Sequence, residues 1–309
     1  MTTVQVPSAG TAQRHGLTTE QVQLFDANGY LILRGRIPPD LLSHLQDAAQ
    51  QWIADGHGLA DHDPSAVDYK YASRPTGRVM FRVDYLHDKH EAASLELLGS
   101  PEILGIAESL AGPNFVPTYE SLVFKNEGDG AAIPWHQDAL HPRRHRIFNV
   151  DVYLDASRAG EGALRVLPGS QTEAIDICSI RDDHGWEPPG ALQVELEPGD
   201  VLVHDVMIVH GSEPVRHNPL RRTIYYEFRS VEQILTEGPW DRDWIDARLR
   251  LVPLGLAEHA RLRPAADQFD WRPSDSLRPA PAADTETELR VAHSVHSPGS
   301  HCSAGDVPA

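Results

Sequence analysis

Residues 135–142 read WHQDALHP, and residues 197–212 read EPGDVLVHDVMIVHGS. In the first stretch His136 and Asp138 flank Gln137. Residues two apart on an extended strand point to the same face, so an imidazole and a carboxylate there can reach one metal ion side by side. In the second stretch a Pro-Gly-Asp turn opens a β-rich run that ends at His210 and Gly211. Two histidines and one carboxylate form a facial triad, which leaves positions open on iron(II) for a co-substrate and oxygen. Catalytic zinc more often takes three His, two His with Glu, or Cys ligands. A lone His-x-Asp arises by chance in a chain with 17 His, so the pattern rests on both halves.

Arg221 follows His210 by eleven residues (221 − 210 = 11), at the start of RRTIYYEF. If that run is a strand, Arg221, Thr223 and Tyr225 share a face and Arg222 points the other way. An inward guanidinium grips a carboxylate through two parallel hydrogen bonds, and 2-oxoglutarate offers one at its far end. A structural ion pair accounts for either arginine equally.

In FNVDVYLD (148–155) Phe148, Val150, Val152 and Leu154 alternate with Asn149, Asp151 and Tyr153, giving one apolar and one polar face. Asn149 is the candidate partner of a metal ligand or of 2-oxoglutarate, and Tyr153 on the same face is a candidate substrate contact. A hydrated outer face would give the same alternation. Lys125, in SLVFKNEGDG just before the metal motif, is a candidate for co-substrate binding, although surface lysines are commoner. His141, Arg143, Arg144, His145 and Arg146 make a cationic run; Arg144 is its candidate contact to an anionic substrate, and surface ion pairs are the alternative. Arg82, in RVMFRVDYLHDKHE, is a candidate at the entrance to the site.

Around these motifs the chain divides into regions. Residues 1–16 are expected to be a flexible N-terminus and 17–273 one catalytic domain with N-terminal and C-terminal helices. Thr18 with Gln21 forms a possible capping box, Gly29 ends that helix, and YLILRG reads as a strand. Pro38 and Pro39 start a second helix, in which Leu41, Leu42, Leu45, Ala48, Ala49 and Trp52 make one buried stripe. Residues 54–78, rich in Asp, His, Gly, Pro and Ser, read as a long loop and a candidate lid. A helix is expected from Pro101 to Leu110, short strands from Thr118 onward, and a helical stretch in WIDARLRLVPLGLAEHARL. After about Pro273 the composition predicts a disordered tail, 274–309, in which His293, His296 and His301 are solvated.

Composition narrows the function classes. Apolar residues make up 40% of the chain and no stretch approaches the roughly 20 needed to span a bilayer. A formal charge of −18 disfavours a nucleic acid partner. The start, MTTVQVPSAG, has neither the basic nor the apolar part of a secretory signal. Cys178 and Cys302 are far apart, with the second in the expected tail, which argues against a disulfide framework and fits a reducing cytoplasm. Nothing in the sequence sets an oligomeric state.

Several blocks together resemble the phytanoyl-CoA dioxygenase family: LTTEQVQLFDANGYLILRG, WHQD, VYLDASRAGEGALRVLPGSQ, GDVLVHD, and HGS with its downstream arginine. The likeness spans most of residues 17 to 230. It implies a mainly β fold with flanking helices, a double-stranded β-helix or jelly-roll. It also implies iron ligation by His136, Asp138 and His210, with Arg221 as anchor of 2-oxoglutarate. One departure is Gln171, where the family often has a histidine after Pro-Gly-Ser. Related halogenases carry a small residue in place of the metal carboxylate; Asp138 therefore favours hydroxylation of a small-molecule metabolite with O2, forming succinate and carbon dioxide. Desaturation, epoxidation or cyclisation would use the same triad, and a cupin-type isomerase or binding module would not need Arg221.

Overall fold

The computed structural model describes residues 15–59, 63–74, 77–89, 92–128, 132–216, 220–279 and 299–303. Helix α1 (Thr19–Asn28) starts with the expected capping box: the Thr18 hydroxyl accepts from the Gln21 amide while the Gln21 side chain accepts from the Thr18 amide. Gly29, at φ 78°, ends it in the left-handed conformation that a side chain would strain. Strand β1 (Tyr30–Leu33) follows, then α2 (Pro39–Gly58), whose Leu41, Leu45, Ala48, Ala49 and Trp52 are buried; Leu42 lies at the margin of that stripe.

The long loop expected over 54–78 is not there. Helix α2 runs on to Gly58, and β2 (Tyr69–Arg74) and β3 (Gly77–Asp84) form an antiparallel hairpin. Buried Tyr69, Met80 and Val83 supply the anchor. Tyr69 packs so close to Gly56 that a Cβ there would overlap its ring. The polar composition that suggested a loop belongs to the short connection before the hairpin, so the lid reading loses its basis in loop length.

Helices α3 (Ala93–Leu98) and α4 (Pro101–Ala111) precede β4 (Phe115–Asn126), β5 (Ile133–Gln137), β6 (Ile147–Tyr153) and β7 (Leu164–Leu167). Next come α5 (Ile177–His184), β8 (Leu192–Val194), β9 (Val201–Asp205), β10 (Val209–Ser212) and β11 (Leu220–Ser230). The expected helical stretch near the end is two helices, α7 (Arg242–Leu249) and α8 (Leu251–Leu262), preceded by α6 (Val231–Glu237). Strand β12 (Ser300–His301) is the last described element.

Among the described residues the strands make two antiparallel sheets, ordered β1-β9-β6-β11-β4-β3-β2 and β12-β5-β10-β7-β8. This is the expected mainly β, jelly-roll architecture. The alternation in β6 sets its interior: Phe148, Val150 and Val152 join Phe124, Ile224, Tyr226 and Phe228 in the main apolar core. That core also takes in Leu41, Leu45 and Trp52 of α2, Leu97 of α3 and Ile103 of α4, so helices cover one face of the larger sheet. The opposite face carries Asn149, Asp151 and Tyr153, all buried, which removes the hydrated-face alternative.

Within the tail expected to be disordered, the described residues 274–279 and 299–303 pack on the domain, and the rest lies outside the described residues. Leu277 is buried beside Val116, Ile234 and Trp240. Ser300 and His301 pair with Gln137 and His136, and Cys302 is disulfide-bonded to Cys178 with a Cα–Cα distance of 4.7 Å. Composition misses the last contacts because the partners of Ser300, His301 and Cys302 lie more than a hundred residues upstream. His293 and His296 lie outside the described residues. Of the expected flexible N-terminus, His15 and Gly16 are described, and His15 sits 3.0 Å from the Asp267 carboxylate. No helix among the described residues is long and apolar enough to cross a membrane.

Candidate metal centre

Strands β5 and β10 are antiparallel neighbours in which His136 stands opposite His210, so both imidazoles leave the same face. Asp138 follows β5 directly, its amide donating to Val206 O at 2.8 Å. One ligand atom from each of the three residues lies within 4.8 Å of the others. His136 Nε2 is 3.2 Å and His210 Nε2 3.7 Å from Asp138 Oδ1.

The backbone selects the tautomer. His136 Nδ1 is 2.9 Å from Pro134 O, and His210 Nδ1 is 2.9 Å from Ile208 O. With Nδ1–H donated to a carbonyl in each ring, both Nε2 lone pairs face the cluster, as metal ligation requires. Burial, with the nearby His136 adding to it, lowers the His210 pKa to about 3, so that ring is neutral. Burial raises the Asp138 carboxyl, but the imidazoles of His210, His136 and His204 outweigh it and hold the group well below the usual range. Two imidazole nitrogens and one carboxylate on one side of an ion fit iron(II) with open positions.

A further layer holds the carboxylate. Asn149 Nδ2 donates to Asp138 Oδ2 at 3.0 Å. His204 Nε2 lies 3.3 Å from the same oxygen, and His204 Nδ1 lies 2.8 Å from Asp151 Oδ2. Burial lowers the His204 pKa, yet the Asp151 and Asp138 carboxylates prevail and raise it to about 10. Asn149 thus contacts one of the three clustered residues, and beside it stand His204 and Asp151, which no motif in the sequence singles out. His204 sits in the apolar run VLVHDVMIV; strand alternation from Leu202 would have put it on the inner face, where it pairs in register with Asn149.

The remaining candidates separate into two groups. Arg82 lies opposite Val123, Val123 opposite Thr223, and Thr223 opposite Tyr153, a single row across β3, β4, β11 and β6. Arg221, buried, stands in the neighbouring register position opposite Lys125 and donates to Gly162 O. Arg222 faces away, forking onto Asp155 at 2.8 and 2.9 Å. Lys125 Nζ donates to Ser212 Oγ at 2.6 Å and so joins the two sheets. Arg82 pairs with Asp84 at 3.1 Å. The cationic run is not gathered into the site: Arg143 pairs with Asp205, Arg146 pairs with Asp26, and Arg144 is exposed. Gln171, the departure noted in the sequence, is buried and donates to Asp26 O at 3.1 Å, a local structural contact.

The family model described as phytanoyl-CoA dioxygenase matches residues 25–223. Dioxygenase lolE1 of Epichloe uncinata is 25% identical over 258 residues, covering 77% of this chain and 97% of the relative. The crystal structure of EvdMO1 superposes with a TM-score of 0.59 at 30% identity, over 69% of this chain and 50% of that one. The crystal structure of EctD from S. alaskensis with 2-oxoglutarate and 5-hydroxyectoine superposes with a TM-score of 0.58 at 20% identity, over 72% of this chain and 80% of that one. The last shares the fold. Since the family match runs from α1 into β11 and takes in His136, Asp138, His210 and Arg221, the chain belongs to the phytanoyl-CoA dioxygenase family of iron(II)- and 2-oxoglutarate-dependent oxygenases.

Proposed function

We propose that this oxygenase hydroxylates a small, polar or anionic metabolite, with His136, Asp138 and His210 as the iron ligands and Arg221 as the anchor of 2-oxoglutarate. The observation that carries the reading is the His-Asp-His cluster, two buried imidazoles and a half-buried carboxylate whose ligand atoms lie within 4.8 Å of one another. Bound iron(II) and 2-oxoglutarate supply the oxidising chemistry: one O2 is consumed, one oxygen enters the substrate, and succinate and carbon dioxide leave. The protein holds and orients. Asn149 and His204 hold the Asp138 carboxylate, while the Nδ1 contacts to Pro134 O and Ile208 O set the tautomers of the two rings. Such fixed geometry removes the orientational cost from the reaction.

Arg221 supports the co-substrate role because it is buried on the inner face, unlike Arg222, which Asp155 engages. Thr223, Tyr153 and Arg82 share one row on that face and are proposed to contact the bound organic molecules, Arg82 favouring a negatively charged group. Lys125 acts on the same side by tying Ser212 to β4. Arg144 keeps only the role of an exposed cation outside this row. Residues 17–273 are proposed as one catalytic unit, to which the segment 299–303 is added. The charge of −18 speaks for a small-molecule partner over nucleic acid or an anionic membrane. The Cys178–Cys302 bond runs against the reducing cytoplasm that the cysteine spacing suggests.

The test is incubation with iron(II), ascorbate, 2-oxoglutarate and a panel of polar metabolites. Substrate-dependent succinate release, with a product heavier by one oxygen atom, is expected. A product lighter by two hydrogens would replace hydroxylation by desaturation, and the absence of any succinate would remove the oxygenase reading.

A further inference from the structure

We propose that His301 is a positioning residue of the metal centre, held there by a C-terminal strand that the Cys178–Cys302 disulfide latches against β5. The proposal rests on the reading that His136, Asp138 and His210 bind iron. It concerns residues beyond the family match, which ends at residue 223.

Strand β12 extends the smaller sheet past β5, the strand that carries the first ligand and leads directly into the second. His301 pairs with His136, which in turn pairs with His210, so the three imidazoles leave one face in a row. The His301 and His136 rings are stacked, with centroids 5.0 Å apart and planes at 25°. The Nδ1 contact to Pro134 O restrains the His136 ring within its own plane, and rocking out of that plane is opposed by the rings beside it, His210 at 4.1 Å and 48° and His301. A stacked ring blocks that second motion. The segment also lies against Asp138: at Gly299 an added Cβ would overlap the backbone carbonyls of Gln137 and Asp138. Ser300 Oγ donates to Ile175 O at 3.2 Å, keeping the strand in line.

A strand of two residues does not hold itself at a sheet edge, since its few hydrogen bonds are offset by the entropy lost in ordering it. The covalent link supplies the hold. Cys178 lies in α5, and the Cys302 side chain packs with the apolar group of Trp135, Ile177 and Val209. A dithiol reductant would break the S–S bond: it passes two electrons and two protons to the sulfurs, leaving two cysteine thiols, and becomes a disulfide itself. The strand is then free to leave β5, and His136 loses its stacked neighbour.

The experiment is an anaerobic iron(II) titration of the full chain, read as affinity and stoichiometry, alongside thiol counting by mass spectrometry. The oxidised wild type should contain no free thiol and bind one iron. Reduction followed by removal of the dithiol, Cys302→Ser, Gly299→Ala and His301→Ala should each weaken iron binding about tenfold, the scale seen when a partner of a metal ligand is lost. His301→Phe, which keeps a stacked ring with no ligating nitrogen, should restore wild-type affinity. Two free thiols in the purified chain, or unchanged affinity in both Cys302→Ser and His301→Ala, would overturn the proposal. So would a His301→Phe protein as weak as His301→Ala. No iron binding by the oxidised wild type would overturn the metal reading itself and this proposal with it.

Discussion

His204 Nε2 faces Asp138 Oδ2 at 3.3 Å, and the far side of the same ring rests on Asp151 at 2.8 Å. A carboxylate held in this way presents its other oxygen, Oδ1, toward His136 and His210. Replacing the ring frees Asp138 to rotate and leaves Asp151 buried without its cation. His204→Ala should therefore lower iron(II) affinity by about 10- to 100-fold, the range for such supporting residues. Equilibrium titration measures it, and an unchanged affinity would show that Asn149 alone orients the carboxylate.

The adjacent arginines separate co-substrate binding from stability. Losing a charge-assisted fork to a carboxylate costs about 2 kcal/mol or more, so Arg221→Ala should raise the KM for 2-oxoglutarate at least about 30-fold. Arg222→Ala should leave that KM alone and cost about 3 kcal/mol of stability, because Asp155 loses a largely buried partner. Steady-state kinetics and denaturant unfolding on the two variants decide it; the reverse pattern would exchange their roles.

Metal binding should stabilise the fold by mass action. At a hundredfold excess over Kd, a ligand that binds only the native state adds about 2.7 kcal/mol. Manganese(II), which stands in for iron without oxygen chemistry, should raise the Tm of the wild type, and a chelator should reverse the rise. His210→Ala should show no such shift. A shift that survives this substitution would place the ion elsewhere.

Away from the site, Gly99 and Gly255 bring α3 and α8 into backbone contact, and a Cβ at Gly99 would overlap the Gly255 carbonyl. Gly99→Ala should cost about 1–3 kcal/mol, as overpacking does in a close-packed interior. A lower denaturant midpoint with iron affinity retained is the expected result.

How much of this could be read from the sequence followed from how local each signal was. The His136–Asp138 pair, the capping box at Thr18 and the stripe on α2 are each written within a few residues, and each was found. Arg221 and Arg222 also divided as strand alternation required. The loop expected over 54–78 takes in β2 and the start of β3 because the polar stretch before them dominates the composition, although Tyr69, Met80 and Val83 are enough to anchor a hairpin. His204 was hidden in an otherwise apolar run. His301 and Cys302 were beyond reach for a different reason. Their neighbours, His136 and Cys178, are set by the register of a distant strand, and no local pattern encodes that.

The larger sheet is asymmetric: Phe148, Val150 and Val152 pack outward on the helices, while Asn149, Asp151 and Tyr153 look inward. Cohesion and chemistry are therefore written on alternate letters of the same strand. Descendants of such a chain can exchange inward letters beyond the metal cluster, and with them the molecule that is oxidised, without rewriting the outward letters that keep the shell folded. Diversification of substrate then proceeds by single steps, each starting from a protein that already folds.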